Sequence, residues 1–165
     1  MKHILNRLVN HETISTKEAK QVLIKISKGD YNQSQIASFL TVFMMRNITL
    51  VELKGFRDAL LELCIPVDLS AYNPIDLCGT GGDGKDTFNI STLSSFVTAA
   101  AGVPVAKHGN YGVSSACGSS NVLEYMGITF SNDVDFLERA IATTGICVLH
   151  APLFHPAMKN VAPIR

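Results

Sequence analysis

The sequence predicts an α+α/β fold, in which a small amino-terminal helical bundle precedes the start of a parallel-sheet α/β domain. The first observation is a series of amphipathic segments with helix-capping residues before residue 66. The second is an alternation of short apolar runs with helical segments after residue 74. Glycine-rich and polar runs follow the ends of those apolar runs, where ligands gather in parallel sheets. We therefore expect a helical domain at residues 1–66 and an incomplete α/β domain at residues 74–165.

Three helices of the amino-terminal domain are predicted from their first residues. Each begins with a polar N-cap residue and has Glu or Gln three positions later: Ser15 and Glu18, Asn32 and Gln35, Thr49 and Glu52. Apolar residues then recur at helical spacing in each segment. Gly29 is expected to end the first of these helices in the left-handed conformation. Nothing in this domain suggests catalysis, so we expect it to serve packing and dimerisation.

The α/β domain is predicted to alternate strands with helices. The strands are expected at Pro74–Cys78, Val103–Ala106 and Ile146–Leu149. The helices are expected at Ser91–Ala101, Gly118–Met126 and Asp133–Thr144. Because alternating strands and helices form parallel sheets with right-handed crossovers, the carboxyl ends of all three strands should lie along one edge.

Composition and charge exclude several classes of protein. An apolar fraction of 47% excludes a disordered chain, and 14 basic residues balance 14 acidic ones, which gives no case for binding nucleic acid or an anionic membrane. The longest apolar stretch, Val97–Ala106, is too short to span a bilayer. Only 17% of the residues are charged, so we expect part of the surface to be covered by a partner subunit or by more chain. The start lacks a signal-peptide pattern and the four cysteines are widely spaced, so reduced thiols and a cytoplasmic location are expected.

The first candidate site is the glycine-rich run at residues 79–87, directly after a predicted strand. Four glycines within six residues let backbone N–H groups converge on an anion. The Gly-x-Gly-x-x-Gly spacing that starts at Gly79 also fits a dinucleotide fingerprint, but the helix begins late and the next strand ends in the basic pair Lys107-His108. A P-loop is disfavoured because Asp86 stands where Ser or Thr would hold magnesium. A plain turn is disfavoured because the loop is longer than a turn needs.

Three further runs are candidates for ligand contact. Asn89–Thr92 leads into a helix, where its polar groups suit capping or phosphate binding. Lys107–Ser115 follows the second predicted strand and offers an ammonium, glycines and hydroxyls, with Ser119 just beyond. His150–Lys159 follows the third strand and leads to Arg165, whose planar guanidinium suits the carboxylate of an aromatic acid. On spacing alone this last assignment is weak, because surface arginines are common.

Four motifs occur together in a specific order and spacing. They are Gly79-Thr80-Gly81-Gly82-Asp83, Asn89-Ile90-Ser91-Thr92, Lys107-His108-Gly109-Asn110, and His155-Pro156-Ala157-Met158 followed by Arg165. With them the whole chain, including its helical start, resembles the anthranilate phosphoribosyltransferase family of tryptophan biosynthesis. The resemblance implies a fold of the nucleoside phosphorylase and phosphoribosyltransferase type. It also implies transfer of the phosphoribosyl group from phosphoribosyl diphosphate (PRPP) to the amino group of anthranilate, with release of diphosphate. Magnesium (Mg²⁺) as cofactor and a homodimer joined through the helical domain are implied as well.

The same resemblance implies roles for individual residues. Contact with PRPP is implied for a set at the predicted strand ends: Gly79, Gly82, Asp83, Thr87, Asn89, Ile90, Ser91, Thr92, Lys107, His108, Gly109, Asn110, Tyr111, Gly112, Val113, Ser114, Ser115 and Ser119. Ser91 is implied as a magnesium ligand. Anthranilate is assigned to Gly79, Asn110 and Arg165, with Arg165 facing its carboxylate. No covalent nucleophile is needed; positioning and electrostatics supply the catalysis, and Lys107 supports the leaving group.

This sequence departs from the family pattern at two places and in length. Tyr111-Gly112 stand where many members have Arg, and Ser120-Asn121 stand where many have Ala-Asp, so the hydrogen bonding around the phosphates is expected to differ. The chain is expected to correspond to the amino-terminal half of the family length. An Asp-Glu pair that binds magnesium belongs to the other half, so the isolated chain is expected to be an incomplete catalyst.

Two alternatives stay open. One is a relative of the pyrimidine nucleoside phosphorylases, which share the helical and α/β plan; Asn110 and the His-Pro-Ala-Met run disfavour it. The other is a truncated, catalytically silent module that binds phosphates or a partner subunit. Phosphorolysis of thymidine or uridine would distinguish the first, and activity regained on adding the downstream half would distinguish the second.

Overall fold

The computed structural model of the protein describes residues 1–79, 87–112 and 117–164. The chain forms two compact units, which we call the helical unit and the α/β unit. The helical unit consists of Met1–Ile65 and the segment from His155 onward, and the α/β unit consists of Pro66–Phe154.

Four α-helices and one 3₁₀ turn form the helical unit. They are α1 (Lys2–Val9), α2 (Thr16–Ser27), α3 (Gln33–Met45), α4 (Leu50–Leu63) and the turn Pro156–Asn160. The predicted capping residues are confirmed, because α2, α3 and α4 each begin with a capping box in which side chain and backbone bond reciprocally. Gly29 adopts φ +77° after α2, as expected. The sequence did not predict α1, which has eight residues and no side-chain cap at Met1.

The core of the helical unit is apolar and includes the last segment of the chain. Its buried residues are Leu8, Ile14, Ala19, Val22, Ile26, Ile36, Phe39 and Val161. The rings of Phe39, Phe43 and Phe56 meet edge to face with centroids 5.0–6.0 Å apart. Asn160 Nδ2 donates to the carbonyl of Ser27 at 2.9 Å. Residues 155–164, which the sequence analysis assigned to the α/β domain, therefore pack with the helical bundle, because their apolar side chains enter its core.

The α/β unit has a parallel sheet with helices packed on its strands. Its elements are the 3₁₀ turn Ser70–Tyr72, α5 (Ile90–Ala100), β1 (Val105–Gly109), α6 (Ser119–Tyr125), α7 (Val134–Thr144), β2 (Ile146–His150) and α8 (Ala151–Phe154). β1 and β2 pair in parallel from Val105 opposite Ile146 to Gly109 opposite His150. α5 packs on β1 and α7 packs on β2. This confirms the predicted class of fold.

Two of the predicted strands differ from the structure. The segment expected as strand Pro74–Cys78 forms a single parallel bridge, in which Ile75 donates to Pro104 O and accepts from Ala106 N, both at 3.0 Å. The strand expected to end at Ala106 instead continues to Gly109. The first difference is explained by a contact between residues distant in sequence: the Asp76 carboxylate accepts the His108 N–H that would otherwise continue the ladder. Among the described residues, no helix is both long enough and apolar enough to cross a membrane.

Candidate functional site

Lys107 lies near the carboxyl end of β1 and is completely buried, with 0% exposure. Its Nζ donates to the carbonyl of Leu77 at 3.1 Å. Burial lowers the pKa of the ammonium, while the charges of Cys78 and Asp76 act in the opposite direction. A buried cation whose described hydrogen bond goes to a neutral carbonyl is well suited to an anionic ligand.

The segment before the glycine-rich run is fixed to β1 at two points. The carboxylate of Asp76 accepts the His108 N–H at 3.1 Å, and the Leu77 carbonyl accepts from Lys107. These bonds hold the approach to Gly79 beside the end of β1. Asp76 was not among the site residues predicted from the sequence, although an acidic residue within an apolar run could have indicated a functional position.

Gly79 lies against the first turn of α5. A Cβ atom added to Gly79 would lie 3.3 Å from Ser91 Oγ, a tight contact that favours glycine. Asn89 is the N-cap of α5 and makes no side-chain cap hydrogen bond to that helix; its Oδ1 instead accepts from Thr92 Oγ1 at 2.7 Å. The structure thus places Gly79, the first residue of the first run, beside Ser91 at the N-terminus of a helix, where the dipole favours an anion.

Asn110 is held by hydrogen bonds on both its main chain and its side chain. Its carbonyl accepts from Ser120 N at 3.1 Å and from Ser119 Oγ at 3.3 Å. Its Oδ1 accepts from Tyr111 N at 2.8 Å. The bond to Oδ1 orients the amide, and its NH₂ group is the part suited to donate to an oxygen of a ligand.

Glycines allow the chain around Asn110 to pack closely on the start of α6. A Cβ atom at Gly109 would lie 2.8 Å from Ser119 Oγ. At Gly118 it would lie 2.3 Å from the backbone N of Gly112, a distance that no side chain could occupy without moving the backbone. The Oδ1 of Asn121 accepts from the N–H groups of both Gly112 and Gly118, at 3.0 and 2.9 Å. Asn121 was noted in the sequence only as a departure from the family pattern.

A cluster of rings surrounds His150 at the end of β2. The imidazole stacks on Phe130 with centroids 4.3 Å apart and meets the edge of Tyr111 at 4.8 Å. Its Nδ1 lies 2.9 Å from the buried Ser120 Oγ. Burial lowers the pKa of His150, which Glu124 partly opposes, and this favours the neutral imidazole. An open cavity of about 450 Å³ adjoins these rings. No pattern in the sequence predicted that Phe130 and Ser120 contact His150.

Some of the site residues predicted from the sequence are among the described residues, and others are not. Residues of three candidate runs belong to the α/β unit: Gly79, Asn89, Ser91, Thr92, Lys107, His108, Gly109, Asn110, Tyr111, Gly112 and Ser119. Thr87 and Ile90 precede and begin α5 and are exposed. Gly82, Asp83, Val113, Ser114, Ser115 and Arg165 lie outside the described residues. The fourth run is divided, since His150 belongs to the α/β unit and His155 to the helical unit.

The described residues offer oxygen ligands for a magnesium ion but no ready-made cluster. Across residues 1–79, 87–112 and 117–164, no group of three or more His, Cys, Asp or Glu side chains could hold a metal ion. The hydroxyl of Ser91, at the first turn of α5, is an oxygen donor of the kind that Mg²⁺ accepts. Mg²⁺ in such sites is held by few protein groups together with substrate phosphates, so this donor fits as one ligand.

Two family models together match nearly the whole chain. The helical bundle domain of a glycosyl transferase family matches residues 2–64, and the α/β domain of a glycosyl transferase family matches residues 71–165. The first match agrees with helices α1–α4, and the second spans the α/β unit together with the final segment, which packs with the helical unit.

The chain is similar to proteins named anthranilate phosphoribosyltransferase. Anthranilate phosphoribosyltransferase of Flavobacterium psychrophilum is 78% identical over all 165 residues, which make up 50% of that protein. The crystal structure of the Thermus thermophilus enzyme of this name has a TM-score of 0.85 at 34% identity, over 98% of this chain and 49% of that one. The Saccharomyces cerevisiae enzyme, in complex with PRPP and Mg, has a TM-score of 0.86 at 26% identity, over 99% and 49%.

The chain thus spans about half the length of the curated relatives that it matches. The two family models together, and the solved structure from Thermus thermophilus by itself, match nearly all of the chain. The chain belongs to the glycosyl transferase family that combines a helical bundle with an α/β domain, and over its whole length it is similar to the amino-terminal half of proteins named anthranilate phosphoribosyltransferase.

Proposed function

We propose that this chain supplies the PRPP-binding part of an enzyme that transfers the phosphoribosyl group to the amino group of anthranilate, with release of diphosphate. The observation that carries the proposal is the buried ammonium of Lys107 at the end of β1. Such a charge is costly to bury unless anions compensate it; Asp76 does so in part, and the described hydrogen bond of the ammonium goes to a neutral carbonyl. The relative from Saccharomyces cerevisiae, which was solved with PRPP and Mg, supports PRPP as a further anion.

The reaction breaks the bond between the ribose anomeric carbon and diphosphate, and forms a bond from that carbon to the anthranilate nitrogen. Positive charge develops on the ribose and negative charge on the leaving diphosphate. Lys107 and the N–H groups at the start of α5 stabilise the negative charge. A charge-assisted hydrogen bond of this kind contributes about 1.5–3 kcal/mol. After attack the nitrogen loses one proton to solvent, and no covalent intermediate with the protein is formed.

Anthranilate is assigned to Gly79, Asn110 and Arg165. The NH₂ group of Asn110 can donate to an oxygen of the substrate because the amide oxygen is engaged by Tyr111 N. Gly79 allows close approach of a flat ring, since it has no side chain. Arg165 supplies the charge expected to pair with the carboxylate. Holding the weakly nucleophilic amine against the anomeric carbon supplies a large part of the rate enhancement.

Gly82, Asp83, Thr87 and the run Val113–Ser115 are proposed to contact the phosphates of PRPP. Magnesium is proposed as cofactor, with Ser91 as one ligand. When bound, the ion would neutralise charge on the diphosphate and favour its departure.

The helical unit is proposed to form a homodimer interface. Three large apolar side chains near the end of α3 and the start of α4 are almost fully exposed: Met44 at 86%, Met45 at 82% and Leu50 at 85%. Monomeric soluble proteins seldom expose adjoining apolar residues of this size without a partner. A cytoplasmic location completes the proposal, consistent with biosynthesis of an amino acid.

The proposed activity is tested by following anthranilate fluorescence in the presence of PRPP and magnesium. The chain would be compared with a protein extended to the length of its relatives. We expect the fluorescence to fall in the extended protein only when both PRPP and magnesium are present, and not in the 165-residue chain alone. A folded extended protein that consumes no anthranilate would overturn the proposal. Phosphorolysis of thymidine or uridine by that protein would then assign it to the nucleoside phosphorylases.

A further inference from the structure

His150 occupies a buried position behind the Asn110 segment. Only 4% of its surface is exposed. It follows Leu149 at the end of β2 and is the register partner of Gly109, the residue before Asn110. Stacking on Phe130 fixes the plane of the imidazole, and the ring of Tyr111 meets it at an interplanar angle of 78°.

A continuous set of hydrogen bonds runs from His150 to Asn110. Nδ1 of His150 lies 2.9 Å from Ser120 Oγ, and Ser120 is 0% exposed. The backbone N–H of the same serine donates to Asn110 O at 3.1 Å, and Ser119 Oγ reaches that carbonyl at 3.3 Å. Tyr111, which follows Asn110 and donates to its Oδ1, is the second link to the imidazole. Two independent contacts of His150 thus act on the residues that hold Asn110.

The residues of this network include the departures from the family pattern. Tyr111 contacts the imidazole, Ser120 bonds to it, and Asn121 ties Gly112 to Gly118. Tyr111 and Ser120, which are nine residues apart in the sequence, therefore both contact His150, and Asn121 fixes the backbone beside them.

We propose that His150 is a positioning residue for the transfer reaction, which fixes Asn110 through Ser120 and Tyr111 without touching substrate. The inference rests on the proposed function, because Asn110 is assigned there to anthranilate. Loosening Asn110 would weaken the use of anthranilate more than the use of PRPP, which has many other contacts. Small displacements of a positioning group are known to have large effects on rate and binding.

The test uses the protein extended to the length of its relatives. His150→Phe keeps an aromatic ring on Phe130 but removes Nδ1, and Ser120→Ala removes the same hydrogen bond from the other side. Each is expected to raise KM for anthranilate by about tenfold, which corresponds to one buried hydrogen bond. KM for PRPP is expected to change little. The double variant should be no worse than the poorer single variant, since both changes remove one interaction.

A matched control is Cys147→Ala, which removes a buried side chain from the same strand outside this network. It is expected to lower the melting temperature and to leave KM for anthranilate unchanged. Equal increases in both KM values, or additive effects in the double variant, would show that His150 acts only on general stability and would overturn the proposal.

A second measurement separates this proposal from the proposed function. Hydrogen exchange of the Ser120 amide, which bonds to Asn110 O, can be followed by NMR in the 165-residue chain without any activity. His150→Phe is expected to speed this exchange relative to Cys147→Ala. An unchanged exchange rate would overturn the positioning role. If exchange accelerates but the extended protein does not consume anthranilate, the proposed function fails while the role of His150 in holding Asn110 stands.

Discussion

At the scale of single residues, two buried charges are compensated in different ways. Glu52 is 0% exposed, and its carboxylate accepts hydrogen bonds from Arg46, Thr49 and Ile14. Lys107 is equally buried, but its described hydrogen bond goes to the neutral carbonyl of Leu77. Removing one partner of a fully hydrogen-bonded buried ion pair destabilises a fold, whereas a buried cation whose described hydrogen bond goes to a neutral carbonyl is a candidate for binding an anion. This contrast is the reason for which we propose Lys107, and not Glu52, as part of a binding site.

The role of Glu52 gives a prediction about acid stability. Burial alone would raise the pKa of this carboxyl, but the hydrogen bonds from Arg46, Thr49 and Ile14 outweigh it and lower the pKa from 4.5 to about 2. Because the folded pKa lies below the unfolded value, the stabilisation is complete above pH 4.5 and is lost as the pH falls towards 2. Glu52→Gln should therefore reduce the free energy of unfolding at neutral pH by about 3 kcal/mol.

Urea unfolding of both proteins at neutral pH and near pH 3 measures this effect. The difference between wild type and Glu52→Gln should shrink markedly at the lower pH. Glu62→Gln is the control, since its ion pair with Lys20 is exposed and should contribute little. A difference that does not depend on pH would contradict the assignment.

At the scale of elements, the contact between α2 and α4 depends on a glycine inside a helix. A Cβ atom at Gly55 would lie 2.4 Å from the carbonyl oxygen of Thr16 and 2.7 Å from Ala19 Cβ. Alanine would improve helix propensity by about 1 kcal/mol, but forcing the helices apart costs about 1–3 kcal/mol or more. Because a 2.4 Å contact with a backbone oxygen belongs at the upper end of that cost, Gly55→Ala should destabilise the chain by about 2 kcal/mol.

Thermal unfolding measures this change directly. Lys54→Ala, at the exposed neighbouring position of α4, should leave the melting temperature nearly unchanged. A rise in melting temperature for Gly55→Ala would mean that the two helices are not packed as closely as described.

The elements were predictable where the sequence carries local signals. The capping residues Ser15, Asn32 and Thr49 set the starts of three helices, and the structure confirms all three. α1 has no such cap and was missed. The expected strand at Pro74–Cys78 was wrong because Asp76 takes a ladder hydrogen bond, a contact with His108 across 32 residues that no local pattern contains.

The candidate site was predictable to a similar extent. The motifs selected residues that lie at strand ends and at the start of α5, and the roles of these residues remain predictions. The contacts of Ser120 with His150 depend on the register of β1 against β2 and on packing between residues 30 apart. Because such packing leaves no spacing pattern in the sequence, only the structure could reveal it.

At the scale of the whole molecule, the exposed apolar residues of the helical unit predict self-association. Met44→Lys combined with Leu50→Lys places two charges where a partner would cover apolar side chains. Sedimentation velocity should show a dimer for the wild-type chain and a monomer for this variant. Met126→Lys is the control, since Met126 is 62% exposed but belongs to the α/β unit. A wild-type chain that is monomeric at all accessible concentrations would contradict the interface.

We propose that the end of β1 binds PRPP through the buried ammonium of Lys107. The most direct test is calorimetric titration of PRPP, with magnesium, into the extended protein and its Lys107→Met variant. We predict that binding weakens by about 10–150-fold, as expected for loss of one charge-assisted hydrogen bond, while the melting temperature without ligand stays the same or rises. Unchanged PRPP affinity in a folded Lys107→Met variant would contradict the account.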